Sequence, residues 1–295
     1  MRRHPVILGF AILFFIGVVF FTLIYLLGLF KGDGRSLHLR AKVGVVPIEG
    51  VLIDGSDIIA QIDEFANDNG IKAVVLRINS PGGGVAASQE IFQSVRELGK
   101  TKKVVASMGA VAASGGYLIA TAADRIVANP GTITGSISAV IQFADIQELL
   151  RKVGVRSSVV KSGKFKDMGS PAREMTLEEK QIFQSIVDDI YDQFTRTVSE
   201  NRKVPLETIL NLADGRIFTG RQALAVKLVD ELGGFQDAVS LAGRLAGMDG
   251  KPVIVYSAKK KSNLWRYLLE STASALSDKI QDSSAGSTGA QYLLQ

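Results

Sequence analysis

Ser114 stands before two glycines in Gly109-Ala-Val-Ala-Ala-Ser114-Gly115-Gly116-Tyr117, where the apolar run KKVVASM (102–108) gives way to a turn and a helix. A helix start offers unpaired N–H groups and the positive end of a dipole. A serine there can attack a carbonyl while the N–H of Gly115 faces the developing oxyanion. It can equally serve as an ordinary helix cap. A second glycine-rich turn, Asn79-Ser80-Pro81-Gly82-Gly83-Gly84, follows the run IKAVVLRI (71–78). Three glycines in a row cost backbone entropy, so their freedom has a use. Presenting the N–H of Gly83 as the second oxyanion donor is one; a tight turn with no ligand is another.

Histidine cannot supply the general base for such a serine. The only two, His4 and His38, lie in or beside the N-terminal segment, and the chain has no cysteine. The base is therefore a carboxylate or a lysine. A lysine ammonium, with an ordinary pKa of about 10.4, holds its proton at neutral pH. Apolar burial disfavours the charged form, which is how proteins turn a lysine into a base. No Lys-Ser or Lys-Thr follows the triple glycine, and no complete G-x-G-x-x-G is present there, so phosphate and dinucleotide loops are not indicated. No cofactor and no metal are expected.

Stepping outward, four β-branched runs at 43–48, 71–78, 102–108 and 125–128 are apolar without interruption, as strands buried on both faces are. Ile58, Ile59, Ile62 and Phe65 between the first two, and Ile91, Phe92, Val95 and Leu98 between the next two, recur at helical spacing. Strands alternating with helices predict right-handed βαβ units and a parallel sheet. Both glycine turns then fall at carboxyl ends of strands, where open α/β sheets carry their sites. A longer helix is expected over about 177–200, with Thr176 and Glu179 forming a capping box and Ile182, Ile186, Ile190 and Phe194 an apolar stripe. Shorter helices are expected near 206–212, 220–227 and 235–247.

Pro5 to Phe30 carries no charge. A bilayer core of about 30 Å takes about 20 apolar residues, so this run is long enough to anchor the chain. It exceeds the apolar core of a cleaved signal peptide, and no A-x-A-like site follows. Arg2 and Arg3 precede it and Lys31, Arg35, Arg40 and Lys42 follow, so charge counting does not orient it. The expected organisation is a cytoplasmic N-terminus and anchor (1–30), a linker (31–42), a main domain (43–250), a C-terminal strand and amphipathic helix (251–280) and a disordered tail (281–295). The net charge of +5 is dispersed, without the interleaved aromatics of a nucleic-acid platform, so no nucleic-acid partner is expected.

Asn79-Ser-Pro-Gly-Gly83, Ala112-Ala-Ser-Gly-Gly-Tyr117, Thr134-Gly-Ser-Ile-Ser138, Lys161-Ser-Gly-Lys-Phe-Lys166-Asp with Ser170-Pro171, Asp214-Gly-Arg-Ile-Phe-Thr-Gly220 and Leu228-Val-Asp-Glu-Leu-Gly-Gly234 together resemble the S49 serine proteases, the signal peptide peptidases. The resemblance covers about residues 43–250. It implies a parallel-sheet βαβ superhelix of the ClpP/crotonase kind, with one transmembrane helix before it. It implies Ser114 as nucleophile, Lys166 as general base, Ser136 as the serine that hydrogen-bonds the lysine, and Gly83 and Gly115 as oxyanion donors. Lys161 and Lys164 are near neighbours of Lys166, and residue type alone does not choose among them. Ser138 stands where the motif has glycine. The resemblance further implies signal-peptide remnants as substrates, a ring-like homo-oligomer whose neighbouring subunits complete the groove, and a catalytic domain outside the bacterial cytoplasmic membrane. An acyl-CoA enzyme of the crotonase type and an inactive membrane scaffold are the alternatives.

Overall fold

Continuous β-branched runs form the centre of the molecule. The computed structural model of the protein describes residues 14–23 and 42–257, all but Ser257 within one unit that ends at Tyr256. The four expected runs lie in β1 (Lys42–Leu52), β2 (Ile71–Gly83), β3 (Lys103–Ala113) and β4 (Arg125–Ala128). Each pairs with the next in parallel. β5 (Ile133–Gly135) continues the sheet beside the end of β3, and β6 (Ile217–Thr219) runs antiparallel to β5. β7 (Glu231–Leu232) joins β4, and β8 (Val253–Tyr256) joins β1, so the sheet runs past residue 250, the expected end of the domain.

Side chains alternate across this sheet, and both faces are covered. Val46, Ile48, Val74, Leu76 and Ile78 point into one apolar cluster with Ile62 and Phe65 of α2 (Ser56–Asn67) and with Ile91 and Val95 of α3 (Val85–Gly99). Val43, Val45, Ala73 and Val75, the residues between, meet Ala238, Val239 and Ala242 of α9 (Phe235–Leu245). A period of two with helices on both sides is why the runs read as unbroken hydrophobic sequence.

Three expectations need adjustment. The segment 79–83 is not a free turn but a continuation of β2: β2 bulges at Ser80–Pro81 opposite Gly50 of β1 (φ 72°), and beyond it Val51 and Leu52 pair with Gly82 and Gly83. Ser80 fixes the bulge, its hydroxyl donating to the Gly50 carbonyl at 2.6 Å. The long helix α6 (Leu177–Arg202) has the expected capping box, Thr176 Oγ1 accepting from Glu179 N–H and Glu179 Oε2 from Thr176 N–H. Its apolar stripe is buried only towards the C-terminal end: Phe194 is buried, whereas Ile186 is 40% exposed. Shorter helices α7 (Leu206–Leu210) and α8 (Gly220–Ala225) lie where expected, and α5 (Gln147–Lys152) was not anticipated.

Of the apolar run 5–30, residues 14–23 form a helix, α1, and the remainder lies outside the described residues. Among the described residues no helix is long and apolar enough to cross a membrane. The linker up to residue 41, the amphipathic segment and the tail from 258 onward also lie outside them.

Candidate active site

Ser114 sits between β3 and the six-residue helix α4 (Gly115–Ala120). Its backbone has φ 53° and ψ −121°, a left-handed conformation that costs a non-glycine residue about 1–3 kcal/mol. The surroundings enforce it. Ser114 N–H donates to the Gly135 carbonyl at 2.8 Å, and the Leu118 N–H donates to the Ser114 carbonyl at 2.9 Å. The side chain makes no capping bond, and no hydrogen bond to its hydroxyl is found among the described residues. A sharp strand-to-helix turn that leaves a serine hydroxyl unspent is the arrangement of a nucleophile elbow.

The second glycine turn packs against the first. A Cβ on Gly82 (φ 98°) would meet the Gly115 nitrogen at 2.7 Å, and one on Gly83 would run into the Leu52 backbone. Gly115 itself has no room for a side chain because Ser88 fills the space, held there by its hydroxyl donating to the Gly84 carbonyl at 2.9 Å. Gly83, Ser114 and Gly115 thus line one cleft. Val85, Phe92 and Leu118 form its apolar floor, and Ile190 and Phe194 of α6 form a wall. Gln89 Nε2 donates to Gln193 Oε1 at 3.0 Å, tying α3 to α6 beside the cleft.

The remaining expected groups are distributed differently. Ser136 also adopts a left-handed backbone (φ 51°) just beyond β5, its N–H donating to the Arg216 carbonyl at 2.9 Å. It does not line the Ser114 cleft, whereas Ser138 does. The hint in the sequence was its place at a position that the motif gives to glycine. The apolar spacing of Ile190 and Phe194 was visible too, but it reads as core and not as a cleft wall.

Lys166 is exposed and is not part of the cleft lining within one chain. It follows a turn closed by its own N–H to the Gly163 carbonyl at 3.2 Å. Its two neighbours are engaged: Lys161 pairs with Asp167 and Lys164 with Glu178. Lys166 alone of the three has no ion pair among the described residues. Asp167 is gripped by Arg173, whose Nε donates to Oδ2 at 2.9 Å and whose Nη2 donates to Oδ1 at 3.0 Å. The Arg173 guanidinium, helped by Lys161, holds the Asp167 carboxyl well below the usual carboxylate range. Arg173 and the Thr176 N–H lower Glu179 to about 2.

The lysine turn lies at the far end of α6. Gly169 packs against Phe143 and Phe183, whose rings are 4.4 Å apart. Phe194, at the cleft, is eleven residues beyond Phe183, about 16 Å at helical rise. Between the two sites, residues 139–160 contain only α5 as regular structure and expose Val140, Leu149, Val153, Val159 and Val160.

Comparison with known proteins agrees with this geometry. The model of peptidase family S49 matches residues 96–249, and that of Clp protease matches residues 53–133. A candidate protease of Synechocystis sp. is 43% identical over 211 residues, 71% of this chain and 76% of that protein. Protease 4 of Haemophilus influenzae is 39% identical over 214 residues, 69% of this chain but 35% of that protein. A candidate signal peptide peptidase SppA of Enterococcus faecium is 37% identical over 202 residues, 67% of this chain and 58% of that protein. The chain thus spans about a third of Protease 4 and little more than half of the Enterococcus protein. The S49 match contains Ser114 and the lysine turn and covers more than half of the chain, and with these relatives it shows that the chain belongs to peptidase family S49 as an SppA-like serine protease.

Proposed function

We propose that the protein is a membrane-anchored endopeptidase in which Ser114 is the nucleophile and Lys166 the general base. The observation that carries this reading is the Ser114 backbone: strained, fixed from two sides, and leaving the hydroxyl without a partner among the described residues. Strain of this kind persists only where the surroundings over-determine it, and its product here is an accessible nucleophile in an apolar cleft.

In the proposed reaction the Ser114 hydroxyl attacks the peptide carbonyl as neutral Lys166 takes its proton. The N–H groups of Gly83 and Gly115 receive the oxyanion. Collapse of the tetrahedral intermediate breaks the C–N bond, the lysine ammonium protonates the leaving amine, and an acyl-enzyme on Ser114 remains. Water, deprotonated by the same lysine, then attacks the ester; the acyl C–Oγ bond breaks, the acid leaves, and the ammonium returns its proton to the Ser114 oxygen. Ser136 orients the lysine.

The rise of about 16 Å along α6 from Phe183, beside the lysine turn, to Phe194, at the cleft, favours a dyad completed between copies. The exposed apolar segment 139–160 supports the same arrangement, since apolar surface of this extent on the segment that leads to Lys166 is what a neighbouring copy would cover. A ring-like homo-oligomer supplies such a neighbour to every subunit. The apolar cleft suits apolar side chains, and the uncharged run 5–30 would confine the enzyme to the bilayer that holds its substrates, cleaved signal peptides and similar membrane-associated peptides. The catalytic domain is proposed to lie on the outer side of the cytoplasmic membrane.

Ser114→Ala and Lys166→Ala should each abolish peptide-ester hydrolysis while leaving thermal stability and oligomer size unchanged. A serine-reactive phosphonate should label Ser114 and no other residue. Substantial turnover by purified Lys166→Ala enzyme would remove the lysine from the mechanism.

A further inference from the structure

We infer that Arg173 is a positioning residue for Lys166, clamping the backbone next to the lysine onto the N-terminus of α6; this rests on the reading of Lys166 as the general base. The guanidinium holds Asp167, the residue directly after Lys166, at three points: both carboxylate oxygens and, from Nη2 at 3.1 Å, the main-chain carbonyl. Fixing a side chain and a carbonyl of the same residue leaves the preceding peptide little freedom. On its other side Arg173 donates from Nη1 to Glu179 Oε2 at 2.9 Å and from Nη2 to Oε1. Nη1 also donates to the Glu174 carbonyl at 3.1 Å.

Glu179 is an anchor rather than a surface partner. Its side chain is 3% exposed, and its carboxylate also accepts the Thr176 N–H that starts α6. The clamp therefore joins the lysine turn to a helix that also lines the Ser114 cleft, through Ile190, Gln193, Phe194 and Thr197. A lysine carried on a loose turn would sample many positions, and a displacement of about 1 Å at a reacting group can cost about 100-fold in rate. The same capping box would close α6 without Arg173, because Thr176 and Glu179 satisfy each other. Cap formation alone therefore leaves the arginine's three bonds to Asp167 without a purpose. Lysine is only a partial substitute at this position: it keeps the charge, but a planar fork reaches two carboxylates and two carbonyls at once and a point charge does not.

The test compares Arg173→Met, Arg173→Lys and the double variant Arg173→Met/Glu179→Gln, each as the full-length oligomer. The double variant leaves no buried carboxylate without its counter-charge and keeps an acceptor for the Thr176 N–H, so it guards against a simple folding failure. Steady-state hydrolysis of a peptide ester and the saturating rate of phosphonate labelling at Ser114 are measured alongside oligomer mass and melting temperature. The clamp predicts a 10- to 100-fold fall in kcat for Arg173→Met and for the double variant, KM within threefold, and a smaller fall for Arg173→Lys. Unchanged kcat in a folded double variant, with Lys166→Ala inactive in parallel, overturns the positioning role alone. Full activity of Lys166→Ala overturns it together with the lysine base. A fall in kcat that merely tracks the folded fraction also overturns it.

Discussion

Gly82 and Ser114 touch so closely that a methyl group on the glycine would lie 2.9 Å from the serine Cβ. The contact joins the carboxyl ends of neighbouring parallel strands, β2 and β3, at the point where both leave regular pairing. It explains why position 82 is glycine: a side chain there would need the space that Ser114 and the Gly115 backbone occupy. Ser114 can hold its left-handed backbone because Gly82 presses on one side and the Gly135 carbonyl accepts its N–H on the other.

Gly82→Ala should therefore act on Ser114 from across the sheet. The new methyl group meets backbone at Gly115 and Ala113, which cannot swing away as a flexible side chain could, and φ 98° is itself unfavourable for alanine. A fall in kcat/KM of about 100-fold is expected, the size that loss of one oxyanion donor produces. Gly99→Ala, at the exposed end of α3 with nothing within 4 Å of its Cβ, is the control and should leave activity unchanged. Equal activities for the two variants would show that the two turns do not depend on each other.

Ser138 offers a second way to probe the cleft. Its side chain lines the same space as Ser114, and its Cβ lies 3.5 Å from the position of a Cβ on Gly215. Ser138→Gly removes that wall atom and its hydroxyl. Peptide esters with leucine or phenylalanine at the scissile position should gain on alanine esters by about 10-fold in kcat/KM, the lower end of what one methylene-sized change in a pocket provides. An unaltered ratio across the ester series would place the acyl-side pocket elsewhere.

Much of this arrangement was visible in the sequence, and the parts that were not share a cause. The parallel sheet was legible because Val43–Ile48, Ile71–Ile78 and Lys103–Met108 are local signals: burial on both faces leaves no polar alternation to confuse them. The capping box at Thr176 and Glu179 is local as well. The extension of β2 through Gly83 was not legible, because it depends on pairing with the distant residues Val51 and Leu52 beyond a bulge. Nor was the role of Arg173, whose six hydrogen bonds reach residues on both sides of it in a loop without periodicity. That Lys161 and Lys164 are paired and Lys166 is not, among the described residues, is likewise a matter of geometry that spacing does not encode.

The acidic side of the stability profile should report on the Arg173 clamp. Glu179 is lowered from 4.5 to about 2 in the folded chain, first by Arg173 and then by the Thr176 N–H. A group with a folded value below its unfolded value adds stability that is complete above the unfolded value and lost as pH falls towards the folded one. The melting temperature should therefore drop on acidification from about pH 4.5 towards 2, and Asp167, held low by the same arginine, adds to the slope. In Glu179→Gln the drop should be shallower and the melting temperature at neutral pH lower. Parallel profiles for the two proteins would mean that the Glu179 pairing contributes nothing to folding.

The proposed division of the dyad between copies has a test that single variants cannot give. A Ser114→Ala subunit retains Lys166, and a Lys166→Ala subunit retains Ser114. If each catalytic pair forms within one chain, every chain in a mixture of the two is dead, and the mixture stays inactive. If the pair forms across a head-to-tail interface, an interface is active whenever a Lys166→Ala chain contributes the serine and its neighbour is a Ser114→Ala chain. Random mixing at equal amounts makes about one interface in four competent in a heterologous ring. Co-expressed or co-refolded variants, carrying distinguishable tags and purified through both, should thus recover activity to about a quarter of the wild-type rate. Mixed oligomers of the proper mass without measurable turnover would return Lys166 to its own chain, and the turn at 161–170 would then have to move by more than a side-chain length to reach Ser114.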